Sequence, residues 1–151
     1  MATTVSQLIQ VLRGELVAAA EADLTTEQLR NALRRGVVLM NRDFELAYVV
    51  EADQETITPT LTDLDLELLL LAATPTCCRI EIAKAARRPS FKAGAIEIDT
   101  TRAAGAWREL LSHAQGEYQR LVELSEGDRQ AALKSLLFER GSVVSTDAAS
   151  A

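Results

Sequence analysis

Aromatic residues make up only 4% of this 151-residue chain, which argues against an aromatic-rich β-sandwich and favours helix packing. Chemistry-bearing residues are scarce as well: there is one histidine, His113, and two cysteines, adjacent as Cys77 and Cys78. Adjacent cysteines cannot make a disulfide framework, they lack the two-residue gap of a zinc knuckle or redox motif, and no second Cys/His pair completes a metal site. Gly-rich phosphate loops, nucleophile elbows and zincin motifs are missing. Basic residues are in deficit, 16 against 22 acidic, for a net charge of -6, the wrong sign for holding nucleic acid by its phosphates. The N-terminus lacks the charged, apolar, small-residue order of a signal peptide, so folding in a reducing cytoplasm is expected.

What is present describes an ordinary globular domain. Hydrophobic residues reach 48% and charged residues 25%, which excludes collagen-like, membrane-spanning and globally disordered chains. The length suits a single core. Thr4 with Gln7 forms a capping box ahead of the stripe Val5, Leu8, Leu12 and Leu16, predicting a first helix to about Ala20. Thr25 with Gln28 opens a second, with Leu29, Leu33, Val37 and Met40 inward and Arg30, Arg34 and Arg42 outward; Gly36 weakens it. From Asp43 the period shortens to two at Phe44, Leu46, Tyr48 and Val50, and after Asp53-Gln54 comes Glu55-Thr56-Ile57-Thr58, predicting a short β-hairpin. Thr62 with Asp65 caps a third helix, apolar on nearly every side from Leu66 to Ala73, as befits the centre of a bundle. Thr74-Pro75 predicts a kink or restart before the helix continues to Arg88.

Pro89 to Ile98 reads as a connection, with Ala95-Ile96-Glu97-Ile98 as a possible strand and Asp99-Thr100-Thr101 as alternative helix caps. The next helix carries Trp107, Leu110, Leu111, Ala114, Tyr118, Leu121 and Val122 at helical spacing. Ser125 with Asp128 caps a last helix that Gly141 is placed to stop. The expected architecture is therefore mainly α: a bundle of about five helices, a small β-hairpin between helices two and three, and an extended C-terminal tail. The domain is expected over 1–141 and the tail over 142–151.

Each candidate for chemistry has a plainer reading. His113, with Glu109 one turn earlier, reads as helix-face pairing or interface packing. Cys77 and Cys78 read as small buried hydrophobes. Asp63, Asp65 and Glu67 suggest a calcium loop superficially, but Leu68 stands where that loop needs glycine, and acids at a helix N-terminus suit its dipole. No catalytic residue, metal or cofactor is expected.

The strongest pattern is one of charge. From Asp43 to Glu67 every charged residue is acidic, including Glu45, Glu51, Asp53 and Glu55, and the next stretch reverses sign at Arg79, Lys84, Arg87, Arg88 and Lys92 against a lone Glu81. Such separation is resolved by internal pairing or by two surfaces of opposite potential, which would suit head-to-tail association of identical subunits. At the other end Leu136, Leu137 and Phe138, with Val143 and Val144 beyond, form an apolar segment suited to anchoring on a partner.

The order of elements, from the capped first helix and Arg-bearing second, through an acidic excursion ending Ile57-Thr58-Pro59 and a Leu/Ala-rich central helix, to Ala93-Gly94-Ala95-Ile96-Glu97-Ile98-Asp99 and a long helix with Trp107 and Tyr118, resembles the head-to-tail connector proteins of tailed bacteriophages. The likeness spans about Leu8 to Leu124. Thr74-Pro75 and the vicinal cysteines depart from it. The resemblance implies a non-catalytic virion subunit that forms a ring, a dodecamer in that family, beneath the portal protein. Such a ring extends the DNA channel, lets DNA pass without specific binding, and docks the next neck or tail protein. It also implies a C-terminal segment that reaches into the portal. The alternative is a small cytoplasmic helical regulatory or ligand-binding domain.

Overall fold

In the computed structural model, which describes residues 4–19, 24–53, 55–87 and 94–149, local capping chemistry starts four of the five helices. Helix α1 (Val5–Ala19) begins where Thr4 Oγ1 accepts the Gln7 N–H at 3.2 Å and Gln7 Oε1 accepts the Thr4 N–H at 2.8 Å. The same reciprocal pair, Thr25 with Gln28, opens α2 (Thr26–Phe44). Thr62 Oγ1 accepts the Asp65 N–H at the start of α3 (Asp63–Arg87), and Ser125 Oγ accepts the Asp128 N–H at the start of α5 (Glu126–Ala149). Each box satisfies donors that a helix N-terminus leaves unpaired. The remaining helix, α4, spans Gly94–Glu123.

Between α2 and α3 lies a two-stranded antiparallel hairpin, β1 (Val49–Val50) and β2 (Ile57–Thr58), with Val49 opposite Thr58 and Val50 opposite Ile57. It is shorter than the alternation from Phe44 suggests. Phe44 belongs to α2, because its ring meets Tyr118 edge-on at 5.6 Å and carries the Arg129 guanidinium at 4.6 Å. Glu45 then turns the chain in the left-handed region, φ 54°. Beyond β2, Thr4 makes a bridge to Thr56, and the Val5 N–H donates to the Glu55 carbonyl at 2.9 Å.

Helix α3 occupies the centre, in contact with α1, α2, α4 and α5. Its Leu68, Leu69, Leu70, Ala72, Ala73, Cys77 and Cys78 are buried together with Leu29, Leu33, Val37 and Met40 of α2 and Trp107 and Leu121 of α4. Burial pushes the Cys77 thiol up to about 12 and Cys78 to about 11, so both are neutral packing groups at physiological pH. Gly36 is a contact position: a Cβ there would stand 3.0 Å from Leu69 Cδ1 and 3.3 Å from the Ala73 backbone nitrogen. The glycine lets α2 and α3 approach closely. Among the described residues no helix is long and apolar enough to cross a membrane.

Four expectations are corrected. Asp99, Thr100 and Thr101 do not cap the fourth helix but lie inside α4, which begins at Gly94. Of the kink or restart expected at Pro75, the restart is overturned, since α3 is continuous from Asp63 to Arg87; Thr74 Oγ1 donates to the Leu70 carbonyl at 2.7 Å beside the site of the missing proline N–H. Ala95 to Ile98 is helical within α4, since a lone strand without a partner leaves its backbone groups unmet and a helix satisfies them internally. Gly141 does not end α5, so the segment after it is helix to Ala149 in place of an extended tail. One glycine costs a helix only about 1 kcal/mol relative to alanine.

Candidate functional site

The acidic residues of the 43–67 stretch do not form one free face. The Asp43 carboxylate accepts Arg42 Nε at 2.7 Å, Arg42 Nη2 at 3.2 Å and the Tyr118 hydroxyl at 2.9 Å. Glu55 accepts the Ser6 hydroxyl at 2.7 Å and Arg30 Nη2 at 3.0 Å. Arg30 also meets Glu27 at 3.3 Å, while its Nε is buried without a partner among the described residues. Asp53 folds its own turn, accepting the backbone N–H groups of Glu55 and Thr56 and the Thr56 hydroxyl. Asp65 accepts the Tyr48 hydroxyl, and burial, seconded by that bond, pushes the Tyr48 phenol up to about 12. Glu45, Glu51 and Asp63 remain as exposed acids without a hydrogen-bonded side chain among the described residues.

The basic stretch divides similarly. Lys84 donates to Glu81 at 3.4 Å and reaches Gln28 at 3.5 Å, so it is tied into the bundle. Arg79 is exposed and forms no ion pair among the described residues. The Arg87 side chain, Arg88 and Lys92 lie outside the described residues.

Arg79 instead converges with two arginines of α2. A cleft of about 620 Å³ between α2, α3 and α4 is lined by Arg35, Arg42, Arg79, Gln115 and Gln119 over a floor that includes Pro75 and Gly116. Arg42 is neutralised there by Asp43, whereas Arg35, like Arg79, has no acidic partner among the described residues. Sequence reasoning placed Arg42 on an outer face without seeing that α3 and α4 complete a groove beside it. Arg35 and Arg42, seven residues and about two turns apart on α2, were the available signal.

A second cleft, of about 520 Å³, is largely apolar and includes Leu16, Leu70, Leu110, Ala114 and Leu136, with Glu67 and His113 also on its wall. Glu67 is buried, His113 is exposed, and no hydrogen bond joins His113 to Glu109 among the described residues. No group of three or more His, Cys, Asp or Glu among the described residues is arranged to hold a metal ion. Of the apolar segment on α5, Leu136 and Leu137 are half-buried and Phe138 is 77% exposed. Val143 and Val144 lie in α5, but their side chains lie outside the described residues.

These contacts set an acid sensitivity. Hydrogen bonds from Arg42 hold the Asp43 carboxyl below its ordinary 3.8, those from the Glu55 and Thr56 groups do the same for Asp53, and the Ser6 hydroxyl followed by Arg30 does so for Glu55, ordinarily 4.5. Groups depressed in the folded state stabilise it fully above their unfolded values, and that contribution is lost as pH falls through the folded ones. Thermal unfolding should therefore keep a steady midpoint from about pH 7 to 5 and lose it below about pH 4. Asp43→Asn should lessen that acid-induced drop; an identical drop in the variant would mean that the Asp43 cluster contributes nothing.

Comparison with protein-family models, curated proteins and solved structures finds no match to this chain.

Proposed function

We propose that this chain is a structural subunit of the head-to-tail connector of a tailed bacteriophage, non-catalytic and assembled as a ring beneath the portal. The observation that carries the reading is the end of α5: Phe138, 77% exposed, on a helix that continues to Ala149. A large aromatic left in water on a terminal helix is suited to a partner's pocket, and aromatic anchors dominate such contacts. The order of elements agrees with what the resemblance implies, since a hairpin separates α2 from a central α3 and a long α4 follows. With a net charge of -6 per copy, a ring would repel DNA phosphates, letting duplex pass without lasting contacts.

The test is a pull-down on assembled portal rings from a phage that encodes this chain. Phe138→Ala, and separately deletion of 139–151, should each reduce capture at least about tenfold, while circular dichroism shows the helices retained. Undiminished capture by Phe138→Ala and by the truncated chain would refute the anchor. A second reading, a small helical ligand-binding domain, is favoured by the apolar cleft beside Glu67 and His113. Its mark would be a chain that ignores the portal yet is stabilised against heat by a small apolar ligand.

A further inference from the structure

From the cleft between α2, α3 and α4 we infer that the arginine pair Arg35 and Arg79 receives the acidic hairpin tip, Glu51 and Asp53, of a second copy of this chain. The inference rests on the self-association contained in the proposed function and names the surfaces that meet. Charge is matched two for two. In the cleft Asp43 cancels Arg42, leaving Arg35 and Arg79. At the hairpin Arg30 cancels Glu55, leaving Glu51 and Asp53, both exposed. Asp53 is held ionised by the hydrogen bonds that it accepts from Glu55 and Thr56.

Apolar contact follows the same pairing. Only four large hydrophobic side chains are prominently exposed among the described residues, and one flanks each surface: Val38, 66% exposed, between Arg35 and Arg42 on α2, and Val49, 55% exposed, on β1. Gln115 and Gln119 on the cleft wall can donate to carboxylate or backbone oxygens. Two isolated valines and two matched charges on each side describe a small polar contact, of the kind that sets register and encounter rate.

One chain cannot close this contact on itself. The hairpin lies along the α2 side marked by Arg30, which binds Glu55, and by Asn41, whose amide donates to the Tyr48 carbonyl at 2.7 Å. At roughly 100° per residue Arg35 stands about 140° around the helix from Arg30. Donor and acceptor surfaces are thus different patches facing different directions. That is a heterologous contact, which propagates from copy to copy and closes into a ring when the rotation allows. Nucleic acid is the poorer occupant: the chain carries a net charge of -6, and the cleft's one aromatic, Tyr118, already spends its hydroxyl on Asp43.

Charge exchange tests the pairing. Two variants of the full chain are made, Arg35→Glu with Arg79→Glu, and Glu51→Arg with Ala52→Lys; all four positions are exposed, and Asp53 is kept because it builds the turn. Sedimentation at about 0.15 M salt should show each variant alone associating at least about tenfold more weakly than the unmodified chain, and the equimolar mixture restored to within about threefold, because contacts between unlike variants again set a tip against a cleft of opposite net charge. Association unaffected by Arg35→Glu with Arg79→Glu, or a mixture no better than its parts, would overturn this contact alone and leave the portal pull-down to judge the connector reading. An unmodified chain that stays monomeric at every concentration would overturn self-association and the contact together.

Discussion

Changing Trp107 to alanine should lower the free energy of unfolding by about 3–5 kcal/mol, a large share of the 5–15 kcal/mol that holds a domain of this size. Trp107 is the only tryptophan, 2% exposed, and belongs to the buried cluster to which α3 and α4 both contribute. In a chain with so few aromatics, no neighbour of comparable volume can move in to fill the void. Part of the loss is transfer free energy and part is the cavity. Urea denaturation followed by circular dichroism should show a lower midpoint with an unchanged slope. Trp107→Phe, which leaves a smaller void, should lose clearly less. A loss under about 1 kcal/mol for the alanine variant would mean that α4 is not fastened to the core at this point.

Gly36→Val should cost about 1–3 kcal/mol, although valine is the better helix former. The new Cβ would meet Leu69 Cδ1 at 3.0 Å and the Ala73 backbone nitrogen at 3.3 Å. The leucine methyl can swing aside; the backbone of a central helix cannot. α2 must then back away from α3 and loosen the contacts of Leu33 and Val37 with it. Gly14 on α1 serves as the control, because a Cβ there has nothing within 4 Å, so Gly14→Ala should stabilise by about 0.5–1 kcal/mol through propensity alone. Thermal melts of the two variants should move in opposite directions. A neutral or stabilising Gly36→Val would show that the two helices have slack between them.

What could be read from the sequence was whatever is settled within one helical turn. The boxes at Thr4–Gln7 and Thr25–Gln28 involve residues three apart, and both form as expected. The inward stripe of α2 and the all-round apolar α3 are likewise periodic signals, and they placed α3 at the centre correctly. Misreadings arose where distant packing outweighs local preference. Gly36 looked like a weak point until Leu69 and Ala73 arrived against it, and Pro75 suggested a kink or restart where α3 does not restart. Phe44 fitted a strand alternation because nothing nearby in sequence announces Tyr118, 74 residues later by numbering, as its neighbour. The charge pattern was legible as a reversal of sign along the chain. Its resolution was not, since Arg42 with Asp43, Arg30 with Glu55 and Lys84 with Glu81 pair members of both runs internally. Arg79 meets an arginine cleft with two members, Arg35 and Arg42, that the basic run did not include.

The seam that joins Thr4, Val5 and Ser6 to Glu55 and Thr56 also governs the order in which the chain can be finished on a ribosome. α1 is made before the other described helices, yet its opening turn is held by a residue 49 positions downstream. At about 5–20 residues per second that separation is a wait of roughly 2–10 s. Through that interval Val5, Leu8, Ile9, Leu12 and Leu16, all buried in the finished molecule, have neither the hairpin nor α3 to cover them. An isolated 15-residue helix is marginal in water, so α1 reaches its place late, as a segment recruited by the hairpin and α3. α1 is thereby made early and settles late, and the nascent chain carries an uncovered leucine stripe until the hairpin and α3 have emerged.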